Sequence, residues 1–481
     1  MCDRERGWSE VPLVKTWQLI AGSAVAGLAL SAAVVATSGP WDSGQRKAER
    51  DRAASWTRTG GADHAAGGLP QAAPSAPGVL GVLAPRPDAG AGALAGALAP
   101  LLADPALGTA RGASVIDVAT GRVLYESGAA DPMKPASTVK IVTASAALAA
   151  LGPEHRIRTT VAPGAGPGEI VLVGGGDPSL TAKKKSPAGS GGSLVALAAD
   201  TAQALKAAGT DTVTLGYDDS LYTGPVLHPN DVGRAGNIAP VTALTADEGR
   251  RDDSTAGTAA RTDDPSGDTA RAFAALLRDR GIKVNGEPGK AKAPAGAQPL
   301  ATTLSTPLAG LVERMLTNSD NDIAEALARQ TALAAGKPAS FEGGEQAVTE
   351  KLASLGVDLK GTRFLDGSGL NHEDRVTTRL LTALLAKAAD PARPELRPVL
   401  TGLPVAGFTG TLSGRNSGTS PAAGLLRAKT GTLTGANGLA GTVVDPSGRL
   451  LAFAFLAGNA PVKESAEKGL DKLAAAVAAT S

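Results

Sequence analysis

A serine and a lysine three residues apart on a helix share one face. If the lysine is kept partly neutral, it can take the hydroxyl proton and turn the serine into a nucleophile. Ser137-Thr-Val-Lys140 offers this pair. Pro135 precedes it, and the apolar run through Ile141 and Val142 to Leu151, stopped by Gly152-Pro153, predicts a helix opening at Ser137. At a helix start the Ser137 N–H has no intrahelical partner and can face an oxyanion. Two further strings follow in order. Ser319-Asp-Asn321 falls in a predicted turn between helices over 304–317 and 322–335, and Lys429-Thr-Gly-Thr432 falls on a predicted strand over 426–433. The Ser319 hydroxyl would relay a proton to a leaving amine, and the Asn321 amide would hold the substrate carbonyl and Lys140. Lys429 and the hydroxyls of Thr430 and Thr432 would hold a terminal carboxylate. Gly431 would let an extended peptide approach an edge strand. The Thr432 N–H would complete an oxyanion hole with the Ser137 N–H. The chemistry is acyl transfer through a serine, with no histidine.

Each string alone has a bland reading. Ser137 and Lys140 serve equally as an N-cap and a surface lysine, Ser319 and Asn321 as turn residues, and Lys429 as a solvated guard on an edge strand. Imitations exist: a second Ser-x-x-Lys spans Ser465 to Lys468, and Arg58-Thr-Gly60 mimics the third string. Order and context separate them. Lys140 lies in an apolar helix, where an unemployed lysine is costly to bury. Ser465 lies in a late polar helix, and Arg58 in a low-complexity stretch.

The remaining sequence must position these strings. The chain of 481 residues has 43% apolar but only 3% aromatic residues, so Ala, Val and Leu must build its core. A formal net charge of +1 gives no case for nucleic acid. The single cysteine, Cys2, precludes an internal disulfide, and His64, His155, His228 and His372 lack zinc-site spacing. No metal or cofactor is implied. Residues 19–36 are strongly apolar after Arg4, Arg6 and Lys15, which reads as a signal anchor or signal peptide and hence as export.

The expected organisation is a cytoplasmic n-region over 1–16, the signal segment over 17–37 and a flexible Ala/Gly/Pro-rich linker over 38–100. Short strands near 113–117 and 122–125 flank a hairpin signal, and the end of the chain is β-rich before a last helix over 461–478. The middle alternates strand and helix. One α+β domain over 101–160 and 298–481 is therefore expected, split by an inserted α/β domain over 161–297.

The three strings, with Gly175-Gly-Asp177-Pro, Asp366-Gly-Ser-Gly-Leu370 and Leu403-Pro-Val-Ala406-Gly, resemble the D-alanyl-D-alanine carboxypeptidase/endopeptidase family, the class C low-molecular-mass penicillin-binding proteins. The resemblance runs from about Ser114 to the C-terminus. It implies a β-lactamase/transpeptidase-like domain, an antiparallel sheet flanked by helices, interrupted after the Ser-x-x-Lys helix. It implies Ser137 as nucleophile, Lys140 as base, Ser319 and Asn321 assisting, and Lys429, Thr430, Gly431 and Thr432 at the carboxylate end. Peptidoglycan stem peptides become the expected substrate and β-lactams the expected inhibitors, in the cell-wall space. Two departures stand out. The interval between Ser137 and Ser319 is shorter than in many relatives, and His372 stands where relatives often carry an arginine near the stem-peptide side chain. A serine β-lactamase is the nearest alternative, but it needs a carboxylate for the deacylating water, usually in Glu-x-x-Leu-Asn, and no such string lies between Lys140 and Ser319. An alternative of another class is a non-catalytic wall-binding or sensor module, against which the three intact strings argue.

Overall fold

A computed structural model describes residues 90–185, 191–230 and 236–480. The apolar N-terminal segment and most of the expected linker lie outside these residues. Among the described residues, no helix is long and apolar enough to cross a membrane.

Besides single-turn helices, the chain order is α1 (Gly90–Leu102), β1 (Ala110–Asp117), β2 (Val123–Ser127), α2 (Lys140–Leu151), β3 (Arg158–Pro163), β4 (Glu169–Val173), α3 (Leu194–Ala207), β5 (Thr212–Asp218), α4 (Pro265–Arg278), β6 (Lys283–Lys290), β7 (Ala301–Leu304), α5 (Leu308–Asn318), α6 (Asn321–Ala334), α7 (Phe341–Ser354), α8 (Thr378–Ala389), β8 (Leu426–Leu433), β9 (Ala436–Val444), β10 (Leu450–Gly458) and α9 (Lys463–Ala479). Two five-stranded sheets result, in the orders β2-β1-β10-β9-β8 and β6-β5-β4-β3-β7. The first is antiparallel throughout and is built from both ends of the chain. The second is mixed, with β4, β5 and β6 parallel and β3 antiparallel to β4 and β7.

Strand β10 shows why the first sheet is central. Ala452, Ala454 and Leu456 enter one core with α2, α5, α6 and α8, while Leu451, Phe453, Phe455 and Ala457 enter a second core with α1 and α9. Both faces are covered, so the strand reads as one continuous apolar run rather than as an alternating one. Helix α2 is buried on all sides from Lys140 to Leu148, as its apolar sequence predicts. A third core belongs to the second sheet with α3 and α4. Its strands run from Arg158 to Leu304, a few residues beyond the expected insert at each end.

The expected linker, 38–100, is too long. Helix α1 already begins at Gly90, and Leu94, Leu98 and Leu102 are buried at i, i+4 and i+8 against the last helix. Gly, Ala and Pro100 disguise that stripe. Pro100 sits in the last turn, where its missing N–H removes one hydrogen bond near an end that frays anyway. The predicted helix opening at Ser137 is a tight one-turn segment, Ala136–Val139, that runs into α2 at Lys140.

Candidate active site

The turn carrying Ser137 starts with Ala136 in the left-handed region (φ 46°). A residue with a Cβ holds that conformation at a cost of about 1–3 kcal/mol, offset by its surroundings. The Thr138 hydroxyl donates to the Pro135 carbonyl at 2.7 Å and fastens the turn. Ser137 is thereby left half-buried at the mouth of a cleft, with Lys140 fully buried behind it. The Lys140 ammonium spends its three donors on Ser137 Oγ (3.1 Å), Asn321 Oδ1 (2.7 Å) and the Ser368 carbonyl (2.6 Å). Burial pushes its pKa down to about 8, although Asp366, Asp320, Glu325 and Asp322 pull the other way.

The second string forms the break between α5 and α6. Ser319 ends α5 in the left-handed region (φ 59°), and the Asp320 carboxylate caps α6 by accepting the Ile323 N–H at 3.0 Å. A C-cap followed at once by an N-cap places Ser319 and Asn321 together in the cleft wall. The Asn321 amide donates to the Asn237 carbonyl at 2.9 Å, so a residue contributed by the inserted block fixes the face it turns to Lys140.

Strand β8 brings the third string. It is an edge of the first sheet, bridged by Val405 only at its Arg427 end among the described residues. Gly431 lies against the turn that carries Ser137: a Cβ there would come within 2.7 Å of the Pro135 carbonyl and 3.0 Å of Thr138 Cγ2. Gly431→Val is accordingly expected to lift β8 from the turn. Acylation should slow by more than about tenfold, and stability should fall by about 1–3 kcal/mol, readable from acylation kinetics and thermal melts. Lys429 is fully buried, with Nζ donating to the Thr430 carbonyl at 2.8 Å. Burial, with the charges of Lys140 and Arg415, depresses its pKa well below the ordinary lysine range. Thr430 Oγ1 bonds Thr411 Oγ1 at 2.9 Å.

Ser137, Ser319, Asn321, Leu370 and Thr432 line a cleft of about 240 Å³, faced by Asn237, Arg250, Thr258 and Arg261 from the inserted block. All three strings thus meet. The sequence reading did not foresee the acceptor at Ser368. Its loop, Asp366 to Leu370, is folded around a buried carboxylate. Asp366 accepts the N–H groups of Ser368 (3.1 Å), Gly369 (2.6 Å) and Asn371 (2.7 Å), and its Oδ2 bonds His228 Nε2 at 2.7 Å. Burial alone would raise Asp366, but these bonds hold it below the usual range, while burial and Asp366 push the neighbouring Asp374 well up. Glu325, paired with Arg329 at 3.0 Å, accepts the Gly367 and Ser368 N–H groups. Gly367 and Gly369 leave no room for a Cβ, which would lie 2.5 Å from the Ala324 carbonyl and 2.0 Å from the Ala136 carbonyl. His228, Glu325 and Asp366 therefore cluster as hydrogen-bond partners that aim one backbone carbonyl at Lys140. The glycines flanking Ser368 were the available signal in the sequence.

A family model described as D-Ala-D-Ala carboxypeptidase 3 (S13) matches residues 94–259 and 250–477. The chain belongs to that family. A carboxypeptidase DacB from Mycolicibacterium smegmatis is 40% identical over 413 residues, covering 84% of this chain and 88% of that protein. The chain is a serine-type D-Ala-D-Ala carboxypeptidase, a hydrolase. Penicillin-binding protein 4 from Haemophilus influenzae shares its fold, at a TM-score of 0.65 and 23% identity over 79% of this chain and 97% of that one. The same protein in complex with a β-lactam gives a TM-score of 0.62 and 22% identity over 78% of this chain and 97% of that one. The α+β, transpeptidase-like architecture is thus common to both.

Proposed function

We propose that the family's reaction runs here through an acyl-enzyme on Ser137. The observation that carries this is the 3.1 Å hydrogen bond between Lys140 Nζ and Ser137 Oγ in a site where burial lowers the lysine's pKa to about 8, so that a neutral fraction is available as base. Neutral Lys140 takes the hydroxyl proton as Oγ attacks the carbonyl of the penultimate D-Ala. The negative charge on that oxygen falls between the N–H groups of Ser137 and Thr432. The amine of the terminal D-Ala leaves with a proton delivered through Ser319, and water then releases the shortened peptide. Lys429, Thr430 and Thr432 receive the terminal carboxylate, and Gly431 gives the substrate backbone access to the β8 edge.

The carboxylates beside Ser319 are occupied. Asp320 caps α6, and Asp322 lies 3.0 Å from Arg261. With neither poised to activate a deacylating water, the penicilloyl-enzyme is long-lived, which favours inhibition by β-lactams over their hydrolysis. Peptidoglycan stem peptides place the enzyme in the cell-wall space. The apolar residues 19–36, after three basic residues, provide the export signal or anchor, and the Ala/Gly/Pro-rich stretch after them provides reach. Fluorescent penicillin should label the folded wild-type chain once, and a synthetic stem pentapeptide ending in D-Ala-D-Ala should release free D-Ala. Folded protein that takes no label and releases no D-Ala would refute the reading.

A further inference from the structure

Strand β8 has one hydroxyl already engaged by a carboxylate of the protein itself. Thr432 Oγ1 donates to Glu467 Oε1 at 2.9 Å. Glu467 lies on α9, between Ser465 and Lys468, the string that imitates Ser-x-x-Lys. The helix is fixed below it. Ala466, Leu470 and Leu473 are buried, so the next position, Glu467, rises on the flank toward β8. Arg415 holds this stretch from the side, bonding the Glu467 carbonyl at 3.3 Å and the Asp471 carboxylate through Nε (3.2 and 3.1 Å) and Nη2 (2.8 Å). Asp471 is thus spent on Arg415, and the Glu467 side chain is free to reach Thr432.

A threonine hydroxyl has one proton to donate. While Glu467 accepts it, a second carboxylate arriving at Thr432 finds only lone pairs and a like charge close by. We propose that Glu467 is a specificity-determining residue: it competes with a ligand's terminal carboxylate for the Thr432 hydroxyl and shifts preference toward ligands whose leaving residue carries no free carboxylate. This rests on the reading of Thr432 as part of the carboxylate subsite. Thr432 is exposed, so the competition is direct and is weakened by salt.

The test compares an N-acylated tripeptide ending in D-Ala-D-Ala with the same peptide as its C-terminal amide, on the full chain. Glu467→Ala should raise kcat/KM for the free acid about tenfold, mainly through KM, and leave the amide within about twofold. Glu467→Gln keeps an acceptor without the charge and should fall between Ala and wild type. It carries the same test should the alanine variant melt early. A merely structural role would move both substrates together, and that result, or no change in either, overturns the proposal. Failure of the underlying peptidase reading looks different: wild-type protein would then neither take penicillin nor release D-Ala.

Discussion

Ser137→Ala is expected to abolish penicillin labelling and to reduce D-Ala release by about 10³-fold or more, leaving a correctly folded protein. The hydroxyl is the only group the alanine lacks. Its removal deprives Lys140 of one acceptor out of three and leaves Asn321 Oδ1 and the Ser368 carbonyl in place. Ser137 is half-buried at the cleft mouth, where water can replace the lost partner, so stability should change by no more than about 1 kcal/mol. The paired control is Ser465→Ala. That serine begins the imitation string on an exposed stretch of α9, and its loss should leave labelling intact. Gel fluorescence and the mass of the acylated protein read labelling in both variants, a D-Ala release assay reads turnover, and a thermal melt reads stability. Retained label on Ser137→Ala, or lost label on Ser465→Ala, would move the nucleophile elsewhere.

Much of this site was legible because its residues announce themselves by type. A lysine opening a helix that carries no other charge, a single Ser-x-Asn in the chain and a Lys-Thr-Gly on a strand bounded by leucines are local facts. Strand β8, Leu426–Leu433, has the bounds expected from the sequence. What stayed hidden depends on contacts between distant segments. His228 looked like one of four scattered histidines, yet it reaches across to Asp366 and, with Glu325, shapes the loop that offers Ser368 to Lys140. The φ angles of Ala136 and Ser319 could not be read either, because neither residue favours the left-handed region. Tertiary contacts impose both. Helix α7 (Phe341–Ser354) was equally concealed: it carries Gly343 and Gly344 in its first turn, and Gly343 has room for no Cβ because the Pro338 carbonyl would lie at 1.9 Å. Helix α1 was lost for the opposite reason, since its three-leucine stripe sits in a composition that elsewhere means a tether.

Lys140→Arg should cost about 10²–10⁴-fold in acylation rate, and the pH dependence should show why. Arginine keeps the positive charge and the donors, but it stays protonated at any working pH, so it cannot act as the base. With Lys140 as the proposed base, only its neutral fraction is competent in the wild type. Acylation should therefore rise with pH and reach half its plateau near 8, the value to which burial lowers this lysine. The arginine variant should show no such rise. The same group also marks the folding equilibrium. Between pH 8 and 10.5 the unfolded chain still holds a proton that the native state has released, so unfolding takes up a proton and stability increases with pH across that window. Below pH 8 both states are charged, and the native state carries the full cost of a buried ammonium, on the order of 3 kcal/mol. Lys140→Met removes that cost but strands the Asn321 amide oxygen and the Ser368 carbonyl, so its net stability at neutral pH should lie close to wild type. Its alkaline gain should disappear. Denaturant melts at pH 7 and pH 10 on wild type and Lys140→Met, set beside acylation rates over the same range, measure both effects. An acylation profile flat from pH 6 to 10 in the wild type would mean that Lys140 is not the proton acceptor.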